Sequence, residues 1–208
     1  MMPTQLDDRV SSLADLKPAI DGCRRCPLFR NATQGVPGEG EVSAEVMLVG
    51  EQPGDQEDLQ GHPFVGPAGR LLDRAMKEAA LDRARTFVTN AVKHFKFQPR
   101  GKRRIHQKPD AGEIQACRWW LDQELDLVDP SLVIALGATA ARALMGKVVT
   151  ISKVRGQFIE LQESRRLLVT IHPSYLLRLR GEADKQREYD RFVQDLARAA
   201  GELKRPAA

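Results

Sequence analysis

Val46-Met47-Leu48-Val49 is an unbroken apolar run that ends on Gly50 and leads into Glu51-Gln52-Pro53-Gly54-Asp55. A short run of this kind, bounded by turn residues, reads as a strand buried on both faces. Such strands belong to parallel sheets covered by helices on either side. Further strands are predicted at Thr86–Asn90, 131–136, 157–161 and 167–171, and helical periodicity fills most of the intervals, at 13–20, 70–80, 111–127, 138–144 and 185–203. The alternation predicts an α/β fold with a mainly parallel sheet. Only residues 162–166 join the last two strands, so they are expected to pair as a hairpin, with 157–161 an antiparallel edge.

At 208 residues the chain is expected to form a single domain, residues 1–208. It has 42% hydrophobic and 29% charged residues and no apolar stretch of membrane-spanning length. Residues 1–22 lack the pattern of a secretory leader, so a cytoplasmic monomer with no membrane partner is expected, ending in a frayed tail at 204–208. The net charge of +4 hides a concentration: Lys93, Lys96, Arg100, Lys102, Arg103, Arg104 and Lys108 place seven cations in sixteen residues with no acid among them. Phosphate is the expected counterpart, and a solvated, flexible basic loop is the alternative.

Right-handed crossovers put the carboxyl ends of parallel strands along one sheet edge, where α/β proteins bind ligands. Glu51, Asn90, Gly137 and His172 each stand at or just past a predicted strand end and should converge there. The stretch Gly50–Gly69 carries five glycines and three prolines and is read as a long irregular loop. It offers Glu51, Asp55, His62 and Phe64 as charge, base and ring, and Leu71-Leu72 begins the following helix.

Cys23-Arg24-Arg25-Cys26 has metal-ligand spacing, Cys117 lies on the helix after the basic segment, and His94 is the natural fourth ligand. A dithiol redox pair, a zinc site and an iron–sulfur cluster all remain open on spacing alone.

Together, Cys23-x-x-Cys26-Pro27-Leu28, Gly50-Glu51-Gln52-Pro53-Gly54, Gly61-x-Pro63-Phe64-Val65-Gly66-x-x-Gly69-x-Leu71-Leu72, Thr89-Asn90-x-Val92-Lys93 and His172-Pro173-Ser174 resemble the family 4 uracil-DNA glycosylases. The family likeness implies a three-layer α/β/α fold with a central, mainly parallel four-stranded sheet, and a [4Fe-4S] cluster on Cys23, Cys26, His94 and Cys117, with zinc the alternative. Gln52 replaces the usual alanine, His94 replaces a cluster cysteine, and Gly101-Lys102-Arg103-Arg104-Ile105-His106 is an inserted basic loop. All three departures resemble the UdgX branch, in which the loop histidine attacks the sugar once uracil has left.

The resemblance then implies uracil excision followed by covalent capture of the abasic site. His106 would be the nucleophile, with Glu51 accepting or orienting its proton, and His172 would stabilise the uracil anion at O2. Phe64 would stack on the flipped base and Asn90 would read N3–H and O4. Gln52, Asp55 and Gln60 would shape the loop near the sugar. Arg104 would anchor the basic loop or contact DNA, and Lys102 and Arg103 would meet phosphate. The segment from Ser174 to Arg178 would grip the strand, with Tyr175 and Leu176 as wedges. The partner would be uracil-containing DNA, single-stranded by preference, in a bacterial cytoplasm and at the nucleoid when bound. A hydrolytic glycosylase with turnover and a non-enzymatic metal-containing DNA-binding module are the alternatives.

Overall fold

The computed structural model of the chain describes residues 9–161 and 165–204; the predicted tail past 204, residues 162–164 of the hairpin loop and the first eight residues lie outside them. The central sheet is built from β1 (Val46–Gly50), β2 (Thr86–Asn90), β5 (Leu132–Leu136), β7 (Arg166–Thr170) and β6 (Phe158–Glu160), in the order β2-β1-β5-β7-β6. The first four run parallel, with Gly50 opposite Asn90 and Leu136 opposite Thr170, and β6 runs antiparallel to β7. Five strands therefore replace the four that the family likeness implied. The extra one is the three-residue edge strand, Phe158-Ile159-Glu160, which is only partly buried.

Strand periodicity sorts the side chains into two cores. Met47, Val49, Phe87, Val133, Ala135, Leu167 and Val169 face helices α1 (Leu13–Asp21), α4 (Ala111–Val128) and α5 (Ala138–Met145), meeting Leu16, Trp120, Leu121 and Leu144. Their neighbours Val46, Leu48, Val88, Leu132, Ile134 and Leu168 face α3 (Pro67–Glu78) and α8 (Glu182–Glu202), meeting Leu72, Met76, Phe192 and Leu196. These are the layers of an α/β/α sandwich, and each buried leucine contributes about 2 kcal/mol of apolar transfer. No helix among the described residues is long and apolar enough to cross a membrane.

Two stretches depart from the sequence expectation. The glycine-rich stretch after β1 is not irregular throughout, because α2 (Asp55–Gln60) forms inside it, entered from Gly54, carrying acids in its first turn and closed by Gly61. Carboxylates near a helix N-terminus are favoured by the helix dipole, which offsets the breakers on both sides. Proline also suits a first helical turn, so α3 begins at Pro67 rather than at residue 70. The basic insertion is an antiparallel hairpin, β3 (Phe97–Arg100) with β4 (Arg103–His106), rather than a flexible loop. Gly101, with φ of 60°, supplies the positive φ that its two-residue turn requires. Two short helices, α6 (Ile151–Val154) and α7 (Pro173–Arg178), complete the frame around the carboxyl edge of the sheet.

Candidate active site

The site begins where β1 and β2 end together. A side chain on Gly50 would place its Cβ 2.3 Å from Asn90 Oδ1 and 2.7 Å from the Phe64 ring, so only glycine lets those two groups meet over the strand end. Asn90 is 3% exposed, its amide held in a narrow space. Phe64 adopts φ of 58°, a left-handed conformation that costs a non-glycine residue on the order of 1 kcal/mol or more, as is common where a fold serves a ligand. Its ring stacks against the imidazole of His172, with centroids 6.2 Å apart and planes 25° from parallel.

A cleft of about 880 Å³ opens at this edge, walled by Glu51, Gln52, Phe64, Asn90, His106, Gly137 and His172 together with Ser174, Tyr175 and Arg178. The four groups at strand ends thus share one space. Glu51 accepts hydrogen bonds from the Thr139 hydroxyl and lies 3.3 Å from His106 Nε2. Burial works against its charge, but the bonds from His106 and Thr139 and the nearby imidazoles prevail and hold its carboxyl below the usual range. His172 Nδ1 accepts the Ser174 N–H at 3.2 Å and stands 2.8 Å from the Ser174 hydroxyl, which itself accepts from Arg178. A neutral ring with Nδ1 as acceptor carries its proton on Nε2. Burial pushes His172 down to about 4 in spite of Glu51, so the ring is a neutral donor at physiological pH.

His106 arrives from the hairpin, and two fastenings hold the hairpin down. Arg104 donates from Nε to Asp55 Oδ1 and from Nη1 to Asp58 Oδ2, both at 2.5 Å, and from Nη2 to the Asp55 carbonyl at 3.1 Å. Its guanidinium also lies over the Phe97 ring at 5.1 Å. Gln52 clips the hairpin's two legs, donating to the carbonyls of Lys96 and Gln107 at 3.2 and 3.0 Å and accepting the Lys96 N–H at 3.1 Å. Arg104 and Asp55 therefore stand outside the cleft as fasteners, whereas Gln52 both clips the hairpin and lines the wall.

A sequence profile of the uracil DNA glycosylase superfamily matches residues 37–197. The type-4 uracil-DNA glycosylase of Thermotoga maritima is 37% identical over 188 residues, covering 89% of this chain and 92% of that protein. This chain belongs to that family. The type-4 enzyme of Sulfurisphaera tokodaii is 36% identical over 176 residues, covering 81% of this chain and 77% of its own length. A type-5 uracil-DNA glycosylase of Pyrobaculum aerophilum is more distant, 28% identical over 185 residues, with 81% of this chain and 78% of that protein covered.

Within this type-4 chain the basic run divides. Lys93 is fully buried against Glu124, Lys96 pairs with Glu113 at 2.7 Å, and Arg104 is engaged by Asp55 and Asp58. Phosphate is thus not their counterpart, which corrects the reading of seven equivalent cations. Arg100, Lys102, Arg103 and Lys108 are exposed, with Lys102 and Arg103 at the hairpin tip. Ser174 and Arg178 line the cleft and also orient His172. Of the two expected wedges on α7, Tyr175 is 39% exposed, while Leu176 is buried in the core and Leu177 is the outward residue. His62 is exposed and pairs with Glu39. Thr139 lies in the strand-to-helix turn Gly137-Ala138-Thr139-Ala140, which the sequence offers as a place for a phosphate or as a plain turn; its bond to Glu51, across 88 positions of sequence, carries no local signal.

Cys23 and Cys26 pack on the core that contains Cys117. Trp120 Nε1–H donates to Cys23 Sγ and the Lys93 N–H to Cys117 Sγ, each at 3.2 Å. Such N–H···S contacts are the support that thiolate ligands use, so the donor chemistry suits a soft metal centre. His94 is buried, and burial holds its imidazole pKa down, leaving the neutral form that a ligand needs. Among the described residues, no group of three or more His, Cys, Asp or Glu side chains stands at metal-holding spacing.

Proposed function

We propose that this chain excises uracil from DNA and then bonds covalently to the abasic sugar through His106. The observation that carries the reading is the 3.3 Å approach of His106 Nε2 to Glu51 in the cleft that also holds Asn90, Phe64 and His172. The base leaves the stack and enters over Phe64, and Asn90 pairs with N3–H and O4. The C1′–N1 bond breaks with its electron pair on uracil, and His172 Nε2–H donates to the O2 anion. A neutral donor matches this task, since the proton need not be transferred. Glu51 takes the Nε2 proton of His106 as the Nε2 lone pair forms the bond to C1′, leaving a neutral alkylated imidazole with its Nδ1 lone pair and a protonated carboxyl. A tethered imidazole beats water because its effective concentration exceeds that of any free nucleophile.

A denaturing gel tests this directly. After incubation with a uracil-containing single-stranded oligonucleotide, a retarded protein–DNA band is expected, and His106→Gly should abolish it. Free abasic DNA with no such band favours the second reading, hydrolysis with turnover, because the carboxylate that holds His106 is equally placed to orient a water. We assign Cys23, Cys26, His94 and Cys117 to a [4Fe-4S] cluster, with zinc the competing choice; when bound, it would tie the segment after α1 to α4. Visible absorption that fades on acidification, together with iron in elemental analysis, is expected, and a colourless zinc protein overturns the assignment.

A further inference from the structure

Lys93 and Glu124 form an ion pair with no exposed side-chain surface, Nζ to Oε2 at 2.6 Å. Two charges that deep lose more hydration than their attraction returns unless every remaining hydrogen-bonding site is used. Here the sites are used. Nζ donates to Thr89 Oγ1 at 2.6 Å and to the backbone oxygen of Asn90 at 2.7 Å. The Thr89 hydroxyl donates to Glu124 Oε2 at 2.6 Å, and Oε1 takes the Gly38 N–H at 2.8 Å.

Apolar side chains of similar volume usually stabilise a core as well as a buried pair does, so stability alone does not account for these charges. Their placement does. The ammonium grips two successive residues at the end of β2, and the second of them carries the amide that faces the cleft. Glu124, on α4, holds both the ammonium and the Thr89 hydroxyl through one carboxylate oxygen. Nor does the amide have slack, because its oxygen fills the space left by the side chain that Gly50 lacks. Any movement of the Asn90 peptide drives the amide into β1 or away from the base.

We propose that the Lys93–Glu124 pair is a positioning device for Asn90, fixing the depth and orientation at which its amide meets the base. The inference rests on the uracil-excising reading above and adds the residues that set its selectivity. It predicts a specific loss: recognition of the base fails while the grip on the DNA backbone persists.

The chain has two asparagines, Asn31 and Asn90, and Asn31 is exposed. Selective ¹⁵N labelling of asparagine therefore yields side-chain amide signals from one reporter and one internal control. In the unmodified protein, free uracil should shift the Asn90 signal and leave Asn31 in place. In the Lys93→Met/Glu124→Gln double variant, which removes both charges and leaves no buried ion unpaired, that response should disappear or need at least about tenfold more uracil. Single-turnover uracil release from a uracil-containing single strand should fall about 100-fold. Affinity for the same strand without uracil should stay unchanged. Thr89→Val, a milder lesion that removes only the bridging hydroxyl, should show the same split with a smaller loss.

A folded double variant or Thr89→Val protein that binds and releases uracil as the unmodified chain does overturns the proposal and leaves the function reading intact. Parallel loss of uracil recognition and of affinity for uracil-free DNA also overturns it, by making the pair a general structural support. If the unmodified protein neither releases uracil nor shifts the Asn90 signal, the function reading falls and takes this inference with it.

Discussion

His172 stays neutral because burial at the cleft wall denies a charged imidazole its water, pushing its pKa down to about 4 against the pull of Glu51. In the unfolded chain a histidine titrates near about 6.5. Between these values the unfolded state binds a proton that the folded state refuses, so this residue withdraws stability as pH falls from about 6.5 to about 4. His172→Gln lacks that proton. Urea unfolding at several pH values should show the unmodified protein losing about 1–3 kcal/mol relative to the variant across the window, and a pH-independent difference would refute the assignment. Glu51 has the opposite need, because its bonds from His106 and Thr139 serve the charged form. Glu51→Gln should lower single-turnover uracil release by about 100-fold or more and remove the cross-linked band as well. Glu51, Asn90 and His172 were legible in the sequence because each stands at or just past the end of a predicted strand. Thr139 and Glu124 were not, since what they do depends on partners 88 and 31 positions away.

At the scale of elements, the strands were legible and the pieces between them only partly so. β1 and β2 have the limits that the sequence predicts, and all five residues of each are buried. The hairpin carrying His106 was not legible, since its four-residue strands are exposed and basic and draw their order from Arg104 and Gln52 rather than from burial of their own. That dependence is testable. Arg104→Ala and Gln52→Ala should leave uracil release within about threefold of the unmodified rate while lowering the cross-linked yield per uracil released about tenfold or more, because capture needs a placed imidazole. Equal loss of both would mean that the fastenings serve the base pocket instead. Asp58, fully buried beneath Arg104, keeps the Thr33 N–H and hydroxyl as partners in the arginine variant, which limits the damage to the hairpin.

Over the whole molecule, the parallel sheet delivers its chemistry to one edge, and the hairpin rises beside that edge with its cations divided by depth. Lys93 and Lys96 turn inward to carboxylates, Arg104 fastens the hairpin, and Lys102 and Arg103 are left at the tip. Of that basic run the exposed members, Arg100, Lys102, Arg103 and Lys108, are the ones that can exchange counterions with a nucleic acid, so the electrostatic share of binding should track them, the tip pair included, rather than the total charge of +4. On single-stranded DNA, each lost phosphate contact lowers the slope of log K against log salt by about 0.7. Lys102→Ala/Arg103→Ala should therefore flatten that slope by about 1.4 and weaken uracil-containing and uracil-free strands equally. Uracil release at saturating protein should be unchanged, because neither side chain lines the cleft. Fluorescence anisotropy across a salt series measures the slope. An unaltered slope would mean that the hairpin tip points away from the bound strand, and the strand would then have to reach His106 along the α7 side of the cleft, past Tyr175 and Arg178.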